Sequence, residues 1–195
     1  MNTIQLIDRE GSSHICNSDF SQRVRVRSKA NLDRCYQCLT CSLGCPVVFA
    51  MDYPPHQIIR MVQLGLKEAT LNSSTIWICA ACETCVTRCP NEVDIVGVMD
   101  TLRQMSLEEK IKGKEVIVPV FHDTFLNTVR QFGRQYELGM LLQLKLRTKD
   151  PFSDLGLGLK MLRRRKLKLS PPESKSKKEV REIFNRVKAI REGQS

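Results

Sequence analysis

The sequence predicts a mainly α-helical chain built around two cysteine-rich loops. Three observations carry this. The stretch "CYQCLTCSLGCP", Cys35 to Pro46, recurs with the same cysteine spacing as "CAACETCVTRCP", Cys79 to Pro90, 44 residues downstream. Apolar residues between and after the two runs recur at steps of three and four, the period of a helix face. The charge is confined to one end. Residues 1–140 hold 15 basic and 15 acidic side chains, whereas 141–195 hold 16 and 6, so the C-terminal segment carries the whole +10.

Taken in order, residues 1–30 read as an irregular N-terminal arm. Within it "RVRVR" (23–27) alternates in strand fashion but is short, and Cys16 reads as an ordinary thiol. Asn31 and Asp33 are placed to cap a turn into the first run. Pro54–Pro55 can open a helix, because proline is tolerated in a first turn. Ile58, Met61, Val62 and Leu66 then predict a helix over 56–70, ended by the polar stretch 72–74. After the second run, Val93, Val96, Met99 and Leu102 predict another helix, with Gly113 as its stop. Phe121, Phe125, Val129, Phe132, Tyr136 and Met140 form a stripe that predicts one long helix over 120–146. Residues 31–147 are therefore expected to form the metal-binding domain. Residues 148–195 are expected to be a basic extension with a short helix at 177–191, ordering against a partner.

Composition narrows the function. Hydrophobic content of 42% suits a globular protein, and no apolar run is long enough to cross a bilayer. The opening "MNTIQLIDREGSS" has no apolar core of a signal peptide, so a cytoplasmic chain is expected. Cytosolic cysteines serve metals or catalysis more often than disulfides.

Each run reads C-x2-C-x2-C-x3-C-P, the spacing of ferredoxin loops that hold 4Fe–4S clusters. Three cysteines two residues apart can wrap one loop around three iron corners. The fourth, spaced differently, can reach a second cluster. This assigns Cys35, Cys38, Cys41 and Cys89 to a first 4Fe–4S cluster, and Cys79, Cys82, Cys85 and Cys45 to a second. Such crossed ligation would clamp the two runs together and make the clusters part of the core. Zinc is disfavoured, since three thiols at x2 spacing and one at x3, twice over, is poor arithmetic for four-coordinate sites. His14, His56 and His122 show no pairing with the cysteines. Leu39, Leu43, Ala80, Ala81 and Val86 are expected to shield sulfur from water, Trp77 to anchor the core, and Glu83 and Arg88 either to tune or steer the centres or to lie in solvent.

No catalytic residue is assigned. "GLGLKM" at 156–161 lacks the third glycine of a dinucleotide fingerprint, and there is no P-loop, no Ser–His–Asp arrangement and no Cys-Cys-Gly element. Two clusters without a substrate site suggest a carrier of electrons between partners. The basic charge is confined to the tail and aromatics are only 6%, so no specific nucleic-acid partner is expected. "LGLGLKMLRRRKLKL" reads as a docking segment for an acidic partner rather than a membrane-surface helix.

The chain resembles the alpha-helical ferredoxin domain. That domain also occurs in iron–sulfur subunits of the succinate dehydrogenase and fumarate reductase type, which is the alternative assignment. The closer resemblance is to the C subunit of heterodisulfide reductase, carried by "CYQCLTCSLGCPV", "PPHQIIRMVQLGLKEAT" and "WICAACETCVTRCPNEVDI". The resemblance implies a non-catalytic member of an oxidoreductase complex. It would pass electrons from the A subunit, which holds flavin and iron–sulfur centres, to the B subunit, which bears Cys-Cys-Gly elements and reduces a disulfide.

Overall fold

The structure is a computed structural model. It describes residues 5–7, 13–15, 17–148 except 112, 114 and 116, and 174–192 except 175, with positions 156, 160, 161, 163 and 164. Two compact units divide the chain, residues 1–116 and 117–195. Helices dominate both, as the sequence predicts. The one described sheet is a two-stranded antiparallel hairpin, β1 (Gln5–Ile7) and β2 (Ser13–Ile15), pairing Gln5 with Ile15.

The N-terminal region departs from the expected irregular arm. Helix α1 (Ser18–Ser28) runs straight through the strand-like "RVRVR". Asn17 caps it, its side chain accepting from the Phe20 amide at 3.0 Å. Phe20 and Val24, four residues apart on one face, are fully buried. That face packs on two later helices, α3 (Pro55–Gln63) and α7 (Ile95–Glu108), so α1 belongs to the core. Two of the alternating arginines pair with the end of α7, Arg27 meeting Glu108 at 2.7 Å and Arg23 lying 3.6 Å from Glu109, while Arg25 pairs with Asp33.

The helix expected over 56–70 is two helices, α3 and α4 (Lys67–Leu71). Gly65 divides them with φ +71°, a conformation that costs a side chain dearly. Its carbonyl accepts from the Asn17 amide at 2.9 Å, and a Cβ there would stand 2.5 Å from the Asn17 carbonyl oxygen. Gly65→Ala is therefore expected to destabilise the protein by roughly 2 kcal/mol, read as a lowered urea midpoint with unchanged slope.

Helix α7 is the spine of the first unit. It buries Ile95, Val98, Met99, Leu102 and Met105; Val96, expected on the same face, is only half-buried. Its end is not at Gly113. Lys110 takes φ +53° and the Ile111 amide closes back on the Ser106 carbonyl at 3.0 Å.

The first unit is an internal repeat whose two halves share more than their cysteines. A turn at Leu32–Arg34 leads into the first run, and α5 (Thr75–Ile78) leads into the second. Within the runs, Gln37 and Leu39 have positive φ, as do Ala81 and Glu83, the residues 44 positions on. Short helices α2 (Thr40–Leu43) and α6 (Thr84–Thr87) follow and pack together. Helices α3 and α7 correspond at an offset of 40: Ile58, Ile59 and Val62 of one, and Val98, Met99 and Leu102 of the other, are all buried. The change from 44 to 40 means that the first connection is four residues longer. That longer connection carries Asp52, which reaches across to the second half. It accepts from Ser73 Oγ at 2.6 Å, the Ser74 amide at 3.0 Å, the Thr75 amide at 3.1 Å and Thr75 Oγ1 at 2.8 Å.

In the second unit, the helix expected over 120–146 is again two, α8 (Ile117–Phe132) and α9 (Glu137–Thr148). Gly133, at φ +77°, separates them. The Phe121 stripe is only partly covered, and the buried positions of α8 are Thr124 and Thr128. Helix α10 (Lys177–Glu192) matches the predicted C-terminal helix and packs on α8. The basic block 163–168 lies largely outside the described residues. Helices α8 and α9, expected with the cysteine-bearing part up to 147, group with the C-terminal segment because they pack on each other and, through α8, on α10.

Candidate metal centre

None of the eight cysteines of the two runs forms a disulfide. Cys16 lies outside the described residues. The positive-φ residues turn each loop back on itself twice between its first and third cysteines. Each half repeats the same polar contact: Cys38 Sγ is 3.3 Å from Thr40 Oγ1, and Cys82 Sγ is 3.4 Å from Thr84 Oγ1. These hydroxyls push both exposed thiols down from the ordinary cysteine range. The third cysteine of each run behaves oppositely. Burial pushes Cys41 up, and pushes Cys85 up to about 11. Each run thus pairs an exposed sulfur whose hydroxyl partner favours the thiolate with a more buried one whose surroundings oppose it.

The fourth cysteines lie against the opposite runs. Cys45 joins Cys79, Cys82 and Cys85 around one cavity of about 350 Å³, its open mouth included. Val47, Met51, Ile95, Val96 and Met99 form its apolar wall. On the other side, Tyr36 is shifted up by desolvation and then by the charges of Cys38 and Cys89, which puts Cys89 beside the first run. Cys89 Sγ accepts from the Val93 amide at 3.3 Å, and Cys35 Sγ from Gln37 Nε2 at 3.3 Å. Cys85 feels the charge of Cys41 where α2 meets α6. Among the described residues, no three His, Cys, Asp or Glu side chains converge as they would on a single ion. Cys45, Cys79, Cys82 and Cys85 line a space instead. An all-thiol donor set around an apolar cavity fits an iron–sulfur group, since thiolate is the ligand such iron takes.

The supporting residues were less legible. Trp77 is buried, as predicted. Leu43 is 85% exposed and Leu39 44%, so neither covers sulfur as expected. His56 is not a bystander. Its Nδ1 lies 2.7 Å from Ser42 Oγ, next to Cys41, and burial holds the imidazole toward its neutral form. In the second half the corresponding positions are Val86 and Val96. Arg88 is exposed, and its guanidinium lies over Gly44, where a Cβ would come within 2.6 Å. Two helix residues reach the loops from behind: Gln63 bonds the first and Arg103 the second. Both fall outside the cysteine spacing, and nothing in the sequence sets them apart from the other polar residues of their helices, such as Arg60 and Gln104.

The family model for a 4Fe-4S dicluster domain matches residues 31–93. The C subunit of the H2:CoB-CoM heterodisulfide,ferredoxin reductase of Methanothermobacter marburgensis is 36% identical over 85 residues, 44% of this chain and 46% of that protein. The C subunit of the ferredoxin:CoB-CoM heterodisulfide reductase of Methanosarcina acetivorans is 38% identical over 89 residues, 46% of this chain and 36% of that protein. The match thus spans less than half the length of these two relatives. The C 2 iron-sulfur subunit of the CoB–CoM heterodisulfide reductase of Methanocaldococcus jannaschii is 30% identical over 161 residues, 83% of this chain and 75% of that protein.

Proposed function

The chain belongs to the family of heterodisulfide reductase C subunits, and on that premise we propose that it relays electrons between an A subunit with flavin and iron–sulfur centres and a disulfide-reducing B subunit. It is an iron–sulfur electron-transfer protein with a 4Fe–4S dicluster domain. When bound, the clusters supply one-electron redox chemistry; the chain's own task is to hold, insulate and connect them. We read Cys35, Cys38, Cys41 and Cys89 as the ligands of one cluster, and Cys79, Cys82, Cys85 and Cys45 as those of the other. The observation that carries this is the cavity that gathers Cys45 with the three leading cysteines of the opposite run. Crossed ligation keeps the two centres adjacent, as a relay needs. The apolar wall of Val47, Ile95, Val96 and Met99 shields the inner side of the sulfurs from water.

Residues 148–195 are read as the segment that docks an acidic surface of a partner in the complex. The support is the charge excess of 141–195 and the exposure of Ile183, Val187 and Ile190 on α10. No described helix is long and apolar enough to cross a membrane. The expected cytoplasmic placement is kept as part of this reading.

Anaerobic reconstitution tests the function. About eight irons and eight labile sulfides per chain are expected, with two interacting 4Fe–4S signals on reduction. Stoichiometric zinc without sulfide would overturn the reading.

A further inference from the structure

The two halves brace their cysteine loops in the same way but with different charge. Gln63, on α3, donates from Nε2 to the Leu32 carbonyl at 2.7 Å and the Cys35 carbonyl at 3.5 Å. Arg103, on α7, donates from Nε to the Ile76 carbonyl and from Nη2 to the Cys79 carbonyl. Ile76 and Cys79 follow Leu32 and Cys35 by 44 positions, and Arg103 follows Gln63 by 40, the offsets that relate the loops and the helices. One clamp position therefore carries a neutral amide in the first half and a guanidinium in the second.

We infer that Arg103 is a positioning residue that makes the centre on Cys79, Cys82 and Cys85 the more easily reduced of the two. Electrons are thereby biased from the first run toward the second. A fixed cation lowers the energy of an electron added nearby, and its hydrogen bond to a ligand's carbonyl acts in the same direction. The Arg103 side chain is only 17% exposed, so solvent and salt screen it weakly. Its ion-pair partner Asp100, 2.8 Å away, is 53% exposed. The charges of Arg60, Arg88 and Glu83 are all exposed and count for less. Near the first loop, the Ser42–His56 pair adds dipoles, and the charge of Arg25, 27% exposed, is offset by its ion-pair partner Asp33 and, among the described residues, bonds no cysteine carbonyl. The inference rests on the proposed ligand assignment and adds to it a polarity.

The test is an EPR-monitored redox titration of the full-length reconstituted protein. Arg103→Gln, which copies the first clamp, is expected to lower the higher potential by about a tenfold change in the reduced-to-oxidised ratio, ~59 mV for one electron. The other signal should stay in place. Gln63→Arg should raise the lower potential by a similar factor. Asp100→Asn, at an exposed side chain, should raise the higher one, and it decides the matter if Arg103→Gln loses iron. Full iron content with neither potential moved by Asp100→Asn or Arg103→Gln overturns the inference and leaves the two-cluster reading standing. Failure to load about eight irons in the wild type removes the ligand assignment itself.

Discussion

Cys89→Ala is expected to abolish the centre of the first run, Cys35, Cys38 and Cys41, while the second run keeps its own. Iron should fall from about eight toward four per chain. Pairing the substitution tells crossed from uncrossed ligation. Adding Cys35→Ala to Cys89→Ala should remove no further iron, because both would serve one cluster. Adding Cys79→Ala should remove nearly all of it. If the ligation were uncrossed, these two results would be exchanged. The stability loss should be large as well, since metal binding contributes directly to folding where the ligand loops have few other contacts. The loops here are four-residue helices and positive-φ turns with Cys38 and Cys82 exposed. Far-UV circular dichroism of the variants should show lost helix in step with lost iron.

The second large effect is expected at Asp52. Burial opposes its ionisation, but the bonds from Ser73, Ser74 and Thr75 outweigh that and hold the carboxyl well below the usual carboxylate range. Asp52→Ala takes the carboxylate acceptor from the Ser73 hydroxyl and the Ser74 amide, leaves Thr75 only Ser73 Oγ and the Tyr53 carbonyl, and loosens α5, the element that leads into Cys79. A loss of about 3 kcal/mol is expected by urea unfolding of the loaded protein. Asp52→Asn should cost less, since one oxygen still accepts. The pH dependence has a definite sign. A carboxylate whose folded pKa is depressed stabilises fully above its unfolded value, about 4, and that contribution fades as pH falls toward the folded pKa. Wild type should therefore lose stability below about pH 4 more steeply than Asp52→Ala does.

The cysteine spacing made the candidate ligands legible because ligand loops are local: three of four sulfurs in each set lie within seven residues of sequence. Helix existence was legible for the same reason, through the apolar period of 58–66 and 93–102. What escaped reading depends on distant partners. Helix α1 was hidden because its alternating arginines imitate a strand, while Phe20 and Val24 face a core made by α3 and α7. Gly65 and Gly133 broke two predicted helices because their φ is positive, and a periodic apolar pattern does not register that. The Asp52 brace joins positions more than twenty residues apart, and nothing in the spacing singles it out. The clamps of Gln63 and Arg103 became visible only when the halves were aligned at two different offsets.

The placement of α1 and α7 has a practical consequence for anyone trimming this protein. The matched domain covers only residues 31–93. A chain cut to those borders would lack both helices that cover Ile58, Ile59 and Val62. The bared apolar surface would favour self-association over solubility. Residues 17–111, from the cap of the first helix to the closure after the last, are instead expected to stay soluble and load iron when expressed alone. The cysteine signature marks the chemistry of this protein, and its borders of foldability lie a helix farther out on either side.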